Sequence, residues 1–303
     1  GQSDTDTLTS MYHYGLGSSS VSTSTTEAMI AYGEGTVQTP RYRIWGGSSW
    51  GSEQSALSIN STVQWVVLKA SPVIGEYVMG TLGSDRDINF QVYDNGTWGE
   101  MFELTTNAPS VNRRSLDIAY ETLSGRALAV ACDGDADPSY AIWDGTNWAT
   151  QTIDLASANN CEWIRLASSP ITNEIVLLER NTGNLYQAAV WNATTSTWGT
   201  TTNMGSMSEI AHEGMALEYE ESGDTAIAIA SNAGNSSFVY KTLIAGTWSA
   251  TTTVTLGDDF EWGTLVRDRG SNRMALCYVD EDGDIGMKRW DGGGWVATNT
   301  VTE

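Results

Sequence analysis

Trp290-Asp291-Gly292-Gly293-Gly294-Trp295, near the end of the chain, is one copy of a recurring unit. Trp143-Asp144-Gly145-Thr146-Asn147-Trp148 repeats it, and Tyr93-Asp94-Asn95-Gly96-Thr97-Trp98 nearly does. Weaker versions run from Trp45 to Trp50, Trp191 to Trp198 and Leu243 to Trp248. The closing tryptophans stand at 50, 98, 148, 198, 248 and 295, at intervals of 48, 50, 50, 50 and 47. Six units of that size fill a 303-residue chain, and a fixed period of about fifty residues marks a solenoid or a propeller.

Each unit carries the same four segments. In the fourth they are Glu162 to Ala167, a turn at Ser169-Pro170-Ile171-Thr172-Asn173, the apolar run Ile175-Val176-Leu177-Leu178, and, after a polar hairpin, Tyr186 to Trp191. The motif then turns the chain into a fourth strand at Trp198. Short strands joined by Gly, Asn, Asp and Pro turns indicate all-β structure. The apolar run recurs as Met29 to Tyr32, Tyr77 to Met79, Ala127 to Ala131, Ala226 to Ala230 and Met274 to Cys277. It does not alternate, so both faces are expected to be buried. The fold expected is a single six-bladed all-β propeller with four antiparallel strands per blade. It is one domain over residues 1–303, with blades at roughly 11–59, 60–107, 108–157, 158–206, 207–257 and 258–303. All thirteen tryptophans fall in the repeat and read as packing between blades.

Composition narrows the function classes. Lysine plus arginine is 15 against 37 acidic residues, a net charge of −22, which repels nucleic acid and anionic lipid and favours cations or basic partners. No apolar run approaches the ~18 residues of a membrane span. Three cysteines cannot all pair, so no disulfide framework is expected, and Cys132 and Cys277, in apolar runs, read as buried thiols. The sequence starts at Gly1 and shows no secretory leader, so it reads as a mature form or part of something larger.

These units resemble the β-propeller repeat modules of extracellular bacterial proteins, in which Trp-Asp-Gly-x-x-Trp recurs once per blade. The resemblance covers about residues 11–303 and is weakest at Leu243-Ile244. It implies a surface, secreted or appendage-borne binding or display domain. Two other propeller families fit less well. The sialidase Asp-box lacks its leading serine here, and Asp94-Asn95-Gly96-Thr97-Trp98 is one residue short of it. The Arg, Glu and aromatic that fungal fucose lectins place in each interblade pocket do not recur, because Arg41, Arg86, Arg126, Arg165 and Arg267 occupy different repeat positions.

Candidate chemistry is sparse. No phosphate loop, paired-histidine motif or nucleophile elbow is present, and His13 and His212 are the only histidines. The hairpins between second and third strands are acidic. Asp280, Asp282 and Asp284 are candidate calcium ligands, although Ile285 stands where an EF-hand needs glycine and a tight hairpin selects Asp and Gly unaided. Counting ten residues back from the turn after the first strand (Gly75, Gly125, Asn173, Gly223, Asn272) gives Trp65, Ser115, Trp163, Glu213 and Trp262. One residue earlier, and with His13 assigned by analogy, stand His13, Gln64, Arg114, Glu162, His212 and Glu261. The first strand of a blade lines the channel, so these six are expected to form a polar ring. It is either hydrated or a site for a small ligand or divalent cation. The function expected is a non-catalytic extracellular binding or display module, with a protein or glycan partner at the cell surface or self-assembly. A carbohydrate-binding lectin is the alternative, and a glycan-cleaving enzyme using two carboxylates comes third.

Overall fold

A computed structural model describes residues 11–19, 27–155, 157, 159–199, 201–206, 212–232 and 234–296. Their regular structure is entirely β, in six consecutive antiparallel sheets. In blade two, Val63–Ala70, Tyr77–Gly83, Ile88–Asp94 and Thr97–Thr105 pair in chain order. The other five sheets repeat this meander. Blades four and five each add a short strand, Thr202–Ser206 and Thr252–Thr255, beside the third. The first strands are Met11–Ser19, Val63–Ala70, Leu116–Tyr120, Cys161–Ser168, Met215–Tyr219 and Phe260–Arg267, and neighbours in this series lie side by side. The molecule is a six-bladed β-propeller. Among the described residues no helix is long and apolar enough to cross a membrane. The two chain ends lie outside the described residues.

Second strands are buried on both faces in blades two to five, because each lies between two neighbouring sheets. Blade six departs from the expectation. Met274, Leu276 and Tyr278 are buried against blade five, whereas Cys277, Val266 and Met287 on the other side are exposed. Among the described residues, blade five supplies the apolar cluster that packs on that sheet.

The Trp-Asp-Gly motif has a local and an interblade job. Asp144 Oδ1 accepts the amides of Thr146 and Asn147 at 2.8 Å each, while Gly145 takes φ +95°. This Asx turn needs a short acceptor followed by a residue free of a Cβ. Those amide hydrogen bonds also hold the Asp144 carboxyl below its ordinary pKa. The turn sets the two indoles against each other, with centroids 5.3 Å apart for Trp143–Trp148 and 5.6 Å for Trp290–Trp295. The second indole leans on the preceding blade: Trp148 on Phe102 and Phe90, Trp198 on Tyr140, and Trp295 on Phe238.

The cysteine expectation is overturned. Cys132 follows the second strand of blade three and Cys161 opens the first strand of blade four. Blade packing brings their Cα atoms to 5.2 Å and they form a disulfide, leaving Cys277 free and exposed.

Candidate functional site

The blades carry a second period, twice the first. Trp65, Trp163 and Trp262 are 98 and 99 residues apart, as are Glu76 and Glu174 (98) and Glu121 and Glu220 (99). Even and odd blades therefore differ, and the molecule is a threefold array of blade pairs.

Each glutamate sits at the turn between first and second strands and faces the next blade. Glu76 accepts Tyr120 Oη at 2.9 Å and Trp143 Nε1 at 2.9 Å. Glu121 accepts Trp191 Nε1 at 2.7 Å and the Arg126 guanidinium at 2.6 and 2.8 Å, and Arg126 continues to Ser196 and the Ala193 carbonyl. Glu220 accepts Trp290 Nε1 at 2.6 Å. The opening tryptophan of the motif is thus a donor to the preceding blade. A carboxylate buried at such an interface needs donors to offset its desolvation.

Blade five breaks the pattern. Leu243 replaces the tryptophan, so Glu174 keeps Tyr219 Oη at 2.8 Å as its one donor among the described residues. Burial raises its pKa, opposed by that hydrogen bond. The cleft that lacks the indole is also the larger of the two. Between blades two and three, where Trp143 is present, the cavity is 360 Å³; between four and five it is 810 Å³. Glu174, Asn173, Asn192, Asp224, Thr172 and the half-buried Trp248 line the larger one. A carboxylate acceptor, amide and hydroxyl groups and an aromatic edge in one cleft suit a neutral polyol of sugar size.

Of the six residues expected to form a polar ring, the structure brings His212 and Glu261 together beside Trp262. Trp65, Trp163 and Trp262 point to the axis and meet edge to face, with centroids 6.4 and 5.4 Å apart, so indoles occupy the channel at this level. A β-bulge or irregularity falls at Gln64, Glu162 and Glu261 in the three even blades. Backbone pairing in blade one shifts register between Met11 and Tyr14, around His13, whose side chain lies outside the described residues. Glu162 pairs with Arg113, and His212 Nδ1 lies 2.8 Å from Glu261 Oε1. Arg113 and His212 are equivalent, 99 residues apart, and Arg114 is therefore one residue out of the expected register. The cause lies in the turns: the left-handed residue is Gly125 in blade three but Asp224, at φ +50°, in blade five. Aligning on Gly223 displaced the count by one.

Arg114 instead enters a charged layer beneath the indoles. It bonds Glu213 at 2.9 Å and the Ile164 carbonyl at 2.7 Å, and lies 3.3 Å from Asp117. Arg165 bonds the other Glu213 oxygen at 2.9 Å. In the hairpin of blade six, Asp280 Oδ1 accepts the Asp284 amide at 2.9 Å, and repulsion from Asp258 raises the pKa of Asp282. Among the described residues no group of three or more His, Cys, Asp or Glu side chains is arranged to hold a metal ion.

Sequence comparison finds no matching protein family and no matching curated protein. Similarity to solved structures is broad. A fungal lectin from Aleuria aurantia, described as a six-bladed β-propeller with a novel fucose recognition mode, is 14% identical, with TM-score 0.52 over 97% of this chain and 96% of that one. The BP39L lectin from Burkholderia pseudomallei is 10% identical, with TM-score 0.64 over 91% and 81%. The NanB sialidase from Streptococcus pneumoniae is 8% identical, with TM-score 0.54 over 92% of this chain and 66% of the enzyme. At these identities the likeness concerns the fold.

Proposed function

We propose that this chain is an exported carbohydrate-binding propeller, a non-catalytic lectin-like module whose principal site is the cleft between blades four and five. The observation that carries the reading is the Leu243 substitution within the motif. It unmasks Glu174 beside Trp248 and more than doubles the cavity found where the tryptophan is retained. Elsewhere the same carboxylate is occupied by an indole or by Arg126. Glu174 would accept sugar hydroxyls, Asn173 and Asn192 would supply amides, and the Trp248 edge would take an apolar sugar face. The lectins among the structural neighbours support this reading over a pure display role. The Cys132–Cys161 disulfide supports an oxidising compartment, and hence a cell-surface or secreted location.

The test is a glycan array followed by calorimetry on the best glycans, comparing the native chain with Leu243→Trp and Glu174→Gln. Saturable binding that Leu243→Trp abolishes is expected. Binding that survives Leu243→Trp unchanged would move the site elsewhere, and an empty array would end the lectin reading. Release of reducing sugar from a bound glycan would replace the module with an enzyme.

A further inference from the structure

The axis holds a feature that the interblade clefts do not explain. Beneath the three indoles lies a cavity of 380 Å³, lined by Lys69, Arg114, Arg165, Asp117 and Glu218 from blades two to five. A second cavity shares Lys69 and Glu218 and adds Arg267. Lys69, Glu218 and Arg267 stand at or near the far ends of their first strands. The passage therefore opens on the face that carries the interblade clefts, away from the acidic hairpins.

Four of the 15 cationic side chains of a protein with net charge −22 converge here. Only two carboxylates, Asp117 and Glu218, share the lining with them. Glu213 and Glu221, which help to pair the arginines, lie outside it. Lys69 is exposed and lines the cavity; it makes no direct hydrogen bond or ion pair with another described residue, and its charge acts on Asp117 and Glu218 from a distance. Burial and the adjacent Arg114 both lower the pKa of Arg165, as expected where positive charge is crowded.

These groups are also outside the threefold pattern. Lys69 is matched by Ala167 and Val266, Arg165 by Val67 and Thr264, and Asp117 by Ala216. A framework device would recur from pair to pair, as the axial indoles Trp65, Trp163 and Trp262 do. The cationic set occurs once, as a ligand site would.

We propose that the axial cavity binds a small oxyanion, a carboxylate, sulfate or phosphate group, with Lys69 as its first contact at the mouth and Arg165 and Arg267 as its supporting charges. A narrow, low-dielectric passage strengthens these charges and shields them from salt better than an open surface would. The same oxyanion could arrive free or on an acidic sugar, so inorganic sulfate, inorganic phosphate and D-glucuronate serve as separate probes.

The experiment is calorimetric titration of the native chain with each probe in chloride buffer of constant ionic strength, alongside Lys69→Met and Glu218→Gln. Native binding that is saturable and one-to-one is expected. Lys69→Met removes an exposed charge that makes no direct bond to another described residue; it should still unfold cooperatively and should weaken binding at least tenfold. Glu218→Gln should tighten it, by removing a lining carboxylate. Glucuronate binding alone would assign the site to acidic sugars, and binding of all three probes would assign it to the free oxyanion. No saturable heat with any probe, or equal affinity in Lys69→Met, would overturn the proposal. Leu243→Trp should leave the titration unchanged, which separates this site from the interblade cleft.

Discussion

Glu179 offers a quantitative test of how the blades are packed. It continues the row Ile175, Leu177 that faces blade three, is fully buried, and neither carboxyl oxygen has a hydrogen-bond partner among the described residues. Burial, with the Asp137 charge added, raises its pKa from 4.5 to about 8. The folded state therefore binds this proton more tightly than the unfolded chain does. Its contribution is fully favourable below pH 4.5 and is lost as pH rises to about 8. At ~1.4 kcal/mol per pH unit, the total loss is on the order of 5 kcal/mol. Glu179→Gln removes the titration and offers a donor to Gln187, its cross-strand neighbour, whose Oε1 is also unpartnered. Urea unfolding at pH 5, 7 and 9 should show the variant gaining on the native chain with pH, by roughly 4 kcal/mol across the range. Other carboxylates titrate equally in both proteins and cancel. Stability curves that run parallel from pH 5 to 9 would mean that Glu179 is solvated or paired, and that the interface between blades three and four is looser than described.

Three further outcomes are expected. Trp148→Ala should cost ~3 kcal/mol, toward the low end for buried aromatics because the indole is half-buried; it loses the Phe102 stack and the 3.0 Å hydrogen bond to the Glu100 carbonyl, and a loss under ~1 kcal/mol in denaturant melts would place the ring at the surface. Cys161→Ser should lower stability by ~3–4 kcal/mol, as loop closure across a sequence separation of 29 residues implies, and a reductant should destabilise the native chain but not the variant; equal sensitivity would mean that the bond is absent. Leu243→Trp should be no less stable than the native chain and should gain ~1 kcal/mol if the new indole donates to Glu174 as Trp143 does to Glu76; marked destabilisation would show that the cleft cannot accept the ring.

Much of the molecule was legible from local chemistry. The Asp-Gly turn, the flanking aromatics and the non-alternating second strands are properties of a few adjacent residues, so their recurrence named the blade and its count. The departure at Leu243-Ile244 was equally visible, but its meaning was not. Only the folded ring places Glu174 opposite residue 243, about seventy positions away in the chain, and shows that the lost indole had been a lid on a carboxylate. The pairing of Cys132 with Cys161 and the convergence of Lys69, Arg165 and Arg267 have the same origin. A signal for the axial indoles did exist in the 98- and 99-residue spacing of Trp65, Trp163 and Trp262, but the fifty-residue period masked it. Arg114 was placed in the expected ring for a smaller reason. Gly125 and Asp224 share one left-handed turn position, and one residue of misalignment, or one bulge, sends a strand's side chains to the opposite face. Local sequence determines which elements form, because turns and strand periodicity are short-range; which side chains meet at the axis and between blades depends on strand register and blade order, which are set only when the whole ring packs.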